Sequence, residues 1–292
     1  MGVLSGVCSC TFDVPALDVP ASGLPDLLAV PVDAEPAPPP DLATPDAQPD
    51  DPCAAPLPVA NTIGAACVIG SPPAIDGNLA DWPTALFTNT LSYATAAEHT
   101  GTWSATPADN DLNSSAVFAL RWDQSFLYLA VRVSDQTRSA VQTNYYEGDS
   151  VEIYVDGQHD RAATYGSDDS ELIVVPGGNS QLWRYKAVGN PQMSPATFLA
   201  KTQDSLAASG GVTNWNLEAA IPWSFLGGGA VSSGRVVGFD LALNDNDGTT
   251  SRERSLGWKN TAPAGCKCDQ STIACTAYCS PQAFFGVQLG GR

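Results

Sequence analysis

The chain has 292 residues, enough for one large domain or two small ones, and carries 31 Asp+Glu against 13 Lys+Arg, a formal charge of −18 at pH 7. No Lys or Arg precedes Arg121, which excludes the clustered cations that nucleic acid and anionic membrane surfaces require. The charge names no ligand of its own, because an acidic surface mainly keeps an exported protein soluble.

Residues 1–10 read MGVLSGVCSC. Val7-Cys8-Ser9-Cys10 resembles a bacterial lipobox, in which the cysteine after a small residue is acylated, so Cys10 is a candidate for lipidation. The position of Cys8, the lack of a basic segment and the short apolar run depart from a signal peptide. No later segment reaches the ~20 apolar residues that span a bilayer.

Residues 11–66 read as a disordered stalk. The first 60 residues hold 13 of the 23 prolines and nine carboxylates, with no cation. Such a segment buries too little apolar surface to offset its chain entropy, and its prolines and like charges hold it extended.

From residue 67 to 292 short apolar runs alternate with Gly, Asn, Asp and Pro, as in an all-β domain. Val117–Trp122 and Phe126–Ser134 form a hairpin around Asp123-Gln124-Ser125. Val151, Ile153 and Val155 alternate with Glu152, Tyr154 and Asp156. Leu172–Val175 and Gln181–Ala187 flank the turn Gly177-Gly178-Asn179. Leu217, Ala219 and Ile221 form a further inward set, as do Val237, Phe239, Leu241 and Leu243, and Phe284–Leu289 closes the chain. About ten strands without a convincing helix predict two packed antiparallel sheets, a β-sandwich. Trp82, Trp122 and Trp223 belong with the core, while Trp183 and Trp215 have no assignment.

Cys53, Cys67, Cys266, Cys268, Cys275 and Cys279 belong to or border this domain. The last four have the pattern C-x-C-x6-C-x3-C, which lacks the C-x2-C pairs of common zinc sites, and disulfides in an oxidising compartment fit better. The C-terminal four are expected to pair among themselves.

Six segments, in order, resemble the family 9 carbohydrate-binding modules. They are Ile75-Asp76-Gly77 with Asp81-Trp82, Leu120-Arg121-Trp122-Asp123 with Leu127-Tyr128-Leu129, Asp149 to Asp156, Leu217-Glu218-Ala219-Ala220-Ile221-Pro222-Trp223, Gly238-Phe239-Asp240 with Asn244-Asp245, and Phe285-Gly286-Val287. The resemblance implies a sugar held between two aromatic rings, with a carboxylate accepting hydrogen bonds from its hydroxyls. Tyr146 and Tyr278 fall where the family has its sandwiching aromatics, and Glu152 falls on its carboxylate. An arginine of the family falls near Ile173, so that contact is expected to be lost. The residues alone suit equally well two loop aromatics at a sandwich edge and a glutamate on a solvated strand face. The resemblance also implies structural calcium. Asn244 to Gly248 is not an EF-hand loop, and Asp76, Asp81 and Asp245 are the candidate oxygen ligands.

These readings converge on non-catalytic binding of an oligo- or polysaccharide outside the cell or at its surface, as a possible lipid-anchored protein supporting polysaccharide breakdown. No catalytic residue is expected: with this many carboxylates a glycosidase-like pair carries no signal, and no G-x-S-x-G elbow occurs. The contrasting readings are a structural surface lipoprotein that has lost the sugar pocket, and a haem-binding electron-transfer domain. The second needs Met193 with His99 or His159 as axial ligands; Met193 lies in a loop-like Pro-flanked segment, so haem is not expected.

Overall fold

A computed structural model describes residues 51–104, 107–139, 144–176, 199–204, 214–227, 229–268 and 274–291. The expected lipobox and most of the expected stalk, the 177–187 hairpin, Trp183 and Met193 lie outside these residues. The unit described here runs from Gln48 to Arg292. It therefore includes Cys53 and the first strand, β1 (Thr62–Cys67), which lie ahead of the boundary expected at residue 67.

The strands that follow are β2 (Asn89–Leu91), β3 (Glu98–Gly101), β4 (Ser114–Trp122), β5 (Phe126–Asp135), β6 (Ser150–Asp156) and β7 (Asp169–Val174). After them come β8 (Leu199–Asp204), β9 (Trp215–Pro222), β10 (Val236–Asp245), β11 (Arg254–Gly257) and β12 (Phe285–Leu289). One short helix, α1 (Pro107–Asn113), breaks the all-strand expectation.

The strands form two layers. In one, β10 is central: β6 and then β7 lie along one side of it, while β12 pairs with its first half and β11, then β3, with its second. In the other, the order runs β8-β9-β5-β4, with β2 beyond β4. The pairings are antiparallel except those of β1. Its residues Thr62–Ala65 run parallel to β12 and its Ala66–Cys67 parallel to β4, so the two layers join through one strand.

The period-two alternation explains which face each strand buries. Val151, Ile153 and Val155 of β6, Leu217, Ala219 and Ile221 of β9, and Val237, Phe239, Leu241 and Leu243 of β10 all enter one core between the layers. Phe118 of β4 meets Phe239 at 5.8 Å and Trp258 edge-on at 5.0 Å. Trp82, Trp122 and Trp223 are buried as expected, and so is Trp215. Each such ring contributes roughly 1.5–3 kcal/mol through apolar burial.

All six described cysteines pair: Cys53–Cys67, Cys266–Cys275 and Cys268–Cys279. The C-terminal four pair with one another, as expected.

Candidate functional site

The residues that alternate away from the core build a hollow on the outer face of β7-β6-β10-β11-β3. Cross-strand register sets its floor in two rows. Glu171, Tyr154 and Asp240 are neighbours in one; Ile173, Glu152, Ala242, Gly257 and Glu98 form the other. Ala242 and Gly257 keep the middle of the second row low. A Cβ on Gly257 would stand 3.1 Å from the Glu98 side chain, tight enough that this carboxylate must shift.

Two segments raise walls around the floor and enclose a cleft of about 580 Å³. The first is a single helical turn, Tyr145–Glu147, ahead of β6. Tyr145 is buried against Ile173 and Val175, which turns the next side chain, Tyr146, outward to 44% exposure. The turn is fastened from below, because the Arg252 amide donates to Glu147 Oε2 at 2.8 Å and the Asn246 side chain to the Glu147 carbonyl at 2.7 Å. The second wall is the bridged loop carrying Tyr278, 48% exposed and adjacent to Cys279. Tyr165 Oη donates to the Ala277 carbonyl at 2.6 Å and Asn260 to that of Cys275 at 2.7 Å. Tyr146 and Glu152, neighbours in sequence, and the distant Tyr278 thus line one cleft.

Glu152 is not on a solvated face: it is 5% exposed. Its Oε1 accepts from Asn244 Nδ2 at 2.6 Å, its Oε2 accepts from Tyr154 Oη, and Arg252 Nη1 lies 3.8 Å from Oε1. Arg252 also donates to Asn244 Oδ1 at 2.7 Å. Ile173, near which the arginine contact was expected to be lost, lines the cleft, and Arg252 supplies a guanidinium from the connection between β10 and β11. Lys259 lines the cleft as well.

At the β10–β3 side two further carboxyls contribute. Glu98 accepts from Asn260 Nδ2 at 2.7 Å, and burial pushes it up to about 7. Asp240 is 1% exposed; its Oδ1 accepts the Leu241 and Lys259 amides, and its Oδ2 has no partner. Burial, aided by the nearby Glu98 charge, raises it well above the usual carboxylate range. The sequence reading missed both. Asp240 was marked by its place between the inward residues Phe239 and Leu241, whereas Glu98 carries no local signal.

The metal candidates separate. Asp245 offers one oxygen within 4.8 Å of those of Asp135 and Asp247, and Asp156, Asp168 and Asp169 form a second such trio. Both sets are all-oxygen, the donor type that hard divalent cations take. Each trio holds a buried carboxylate oxygen without a hydrogen-bond partner, Asp169 Oδ1 in the second and Asp247 Oδ1 in the first, where Arg254 Nε also lies 3.0 Å from Asp245 Oδ2. Asp76 and Asp81 stand elsewhere, exposed, and accept the Asn78 and Ala74 amides. Of the haem candidates, His99 Nε2 lies 2.7 Å from the Tyr93 carbonyl and its ring 4.8 Å from the Tyr93 ring.

This fold and cleft have counterparts. The family described as Carbohydrate family 9 binding domain-like matches residues 75–285. The chain belongs to that family. It is 31% identical over 145 residues to the exoglucanase XynX of Acetivibrio thermocellus, covering 50% of this chain and 12% of that protein. It is 29% identical over 150 residues to endo-1,4-beta-xylanase A of Thermotoga maritima, covering 51% of this chain and 13% of that one. Its fold matches a family 9 carbohydrate-binding module from Caldicellulosiruptor kristjanssonii in complex with cellotriose. That match has a TM-score of 0.57 and 24% identity, and covers 79% of this chain and 94% of the module. As a family 9 domain it is a carbohydrate-binding module of the kind found in xylanases and exoglucanases. No helix among the described residues is long and apolar enough to cross a membrane.

Proposed function

We propose that the cleft bearing Tyr146 and Tyr278 binds a pyranose of a cello- or xylo-oligosaccharide without cleaving it. The observation that carries this reading is the pairing of two half-exposed tyrosines with a sunken floor of carboxylates, amide and guanidinium. A pyranose presents C–H bonds on its faces and hydroxyls round its rim. The ring faces suit the first; Glu152 and Glu98 accept from the second, while Arg252 and Lys259 donate to it. The cleft weighs against the reading in which the sandwich has kept its shape and lost its site.

The chain would then act as a targeting module, exported and at or near the cell surface, with Cys10 as the lipid-bearing residue and polysaccharide breakdown as the process served. Titration calorimetry with cellotriose and xylotriose tests the central point. Binding that Tyr146→Ala and Tyr278→Ala each weaken supports it, and absence of binding to either sugar overturns it.

Calcium is the ion proposed for the acidic trios, because their oxygens suit it and because Asp169 keeps an unpartnered buried oxygen. Bound there, it would neutralise buried carboxylates and stabilise the loops around β6, β7 and β10. Loss of any calcium effect on melting in the Asp169→Asn variant would support the second trio as its site.

A further inference from the structure

The charged groups of the cleft do not balance. Glu98, Glu152, Glu171 and Asp240 line it against Arg252 and Lys259. Of the two cations, Arg252 is committed to Asn244 and Glu152. The Lys259 ammonium stands 5.1 Å from the centre of the Trp258 ring and 5.9 Å from that of Phe285, a cation–π position. The excess of acid collects at the β10–β3 side, where Glu98 and Asp240 meet.

Asp240 gives the second, independent sign. It is 1% exposed, yet its Oδ2 has no hydrogen-bond partner, although the residue lines the cleft. A buried carboxyl oxygen left unmatched is destabilising, so the native fold tolerates a group that a ligand can satisfy. A sugar hydroxyl would supply one hydrogen bond there. An ammonium supplies up to three donors and the missing positive charge, between two exposed tyrosine rings whose faces also attract cations.

Resting on the sugar-cleft reading, we propose that the preferred ligands are amino sugars, glucosamine-type residues whose ring ammonium sits between Glu98 and Asp240 while the ring packs on Tyr146 and Tyr278. Arg252 and Lys259 then serve the remaining hydroxyls. The bias belongs to the floor and not to the surface charge of the whole protein: among the described residues Glu98 accepts only the Asn260 amide, and the Lys259 charge, although it reaches Asp240, leaves Asp240 Oδ2 without a hydrogen bond.

Three trisaccharides of like length separate the possibilities in calorimetric titrations of the full chain: fully deacetylated chitotriose, its N-acetylated counterpart and cellotriose. At a pH of about 7, where an α-amino-like group is still largely charged and Glu98, raised to about 7, is partly ionised, chitotriose is expected to bind on the order of ten-fold tighter than cellotriose, about 1.4 kcal/mol. The neutral N-acetylated sugar should show no such gain. Glu98→Gln should bring the chitotriose-to-cellotriose ratio to within about two-fold, and Asp240→Asn should do the same if it folds. Equal or tighter binding of cellotriose overturns the amino-sugar preference and leaves the sugar cleft standing. A chitotriose preference that survives Glu98→Gln overturns the assignment to this floor, since general attraction to an acidic protein would remain. No binding of any of the three overturns both readings.

Discussion

Glu218 is a carboxylate that three donors hold, without an ion pair among the described residues. Its Oε1 accepts from Trp82 Nε1 at 2.6 Å, and its Oε2 accepts the amides of Asp76 at 3.0 Å and Gly77 at 2.7 Å. The glycine is required there. Its φ is +86°, and a Cβ would come within 2.8 Å of the Gln203 amide nitrogen. The motif residues Asp76-Gly77 and Trp82 are thus read by Glu218 on β9, which ties the two segments together apart from the residues that line the cleft. Glu218→Ala leaves three donors unmatched, two of them buried, and should cost on the order of 3 kcal/mol, measured by urea unfolding. The tyrosines behave differently. Tyr146→Ala and Tyr278→Ala remove half-exposed rings, so each should leave the melting temperature within a few degrees while weakening sugar binding by about 1–3 kcal/mol. Loss of stability without loss of binding would show that they are only caps on the sheet edge.

At the scale of elements, the two bridged regions serve different ends. Cys268–Cys279 fixes the turn beside Tyr278, so Cys268→Ser with Cys279→Ser should lower sugar affinity by roughly ten-fold, because binding must then order the wall. Cys53–Cys67 closes a separation of 14 residues at the start of the fold. Its double Ser variant should lose about 3 kcal/mol in denaturant unfolding, with sugar affinity unchanged. Much of this fold was legible because the strand pattern has period two. Val151-Ile153-Val155 and the Val237 to Leu243 set announce both their strands and the face that each one buries. Helix α1, by contrast, has seven residues and no apolar stripe, and β1 carries the plain sequence Thr-Ile-Gly-Ala-Ala-Cys, inside a stretch whose composition reads as linker. The candidate cleft was legible where the motifs carry it, at Tyr146, Glu152 and Tyr278. Glu98 and Arg252 reach the cleft through long-range register, which no local window contains.

For the whole molecule, the buried acids set the response to pH. Glu98, Asp169, Glu218 and Asp245 are each raised to about 7, chiefly by burial. Each binds its proton more tightly folded than unfolded, so each favours the fold fully below its unfolded value, 4.5 for Glu and 3.8 for Asp. That contribution is lost as pH rises through about 7. In chelator, melting should therefore fall by on the order of 5 °C between pH near 5 and pH near 8. Millimolar calcium should recover part of that fall if the Asp135 or Asp169 trio binds it; an identical fall with and without calcium would rule out both. The strand that joins the layers has a further consequence, in mechanics. β1 and β12 run parallel, Thr62 beside Gly286 through Ala65 beside Leu289. Traction applied ahead of β1 and beyond β12 would load all their hydrogen bonds together in shear, the resistant direction. The Cys53–Cys67 bridge intercepts that traction. A pull arriving upstream of Cys53 passes through sulfur to Cys67, at the far end of β1 and opposite Trp122 of β4, and leaves Thr62–Ala66 out of the load path. Reduction would route the same tension through β1 itself, so the rupture force in single-molecule stretching should depend on the redox state of this one bond.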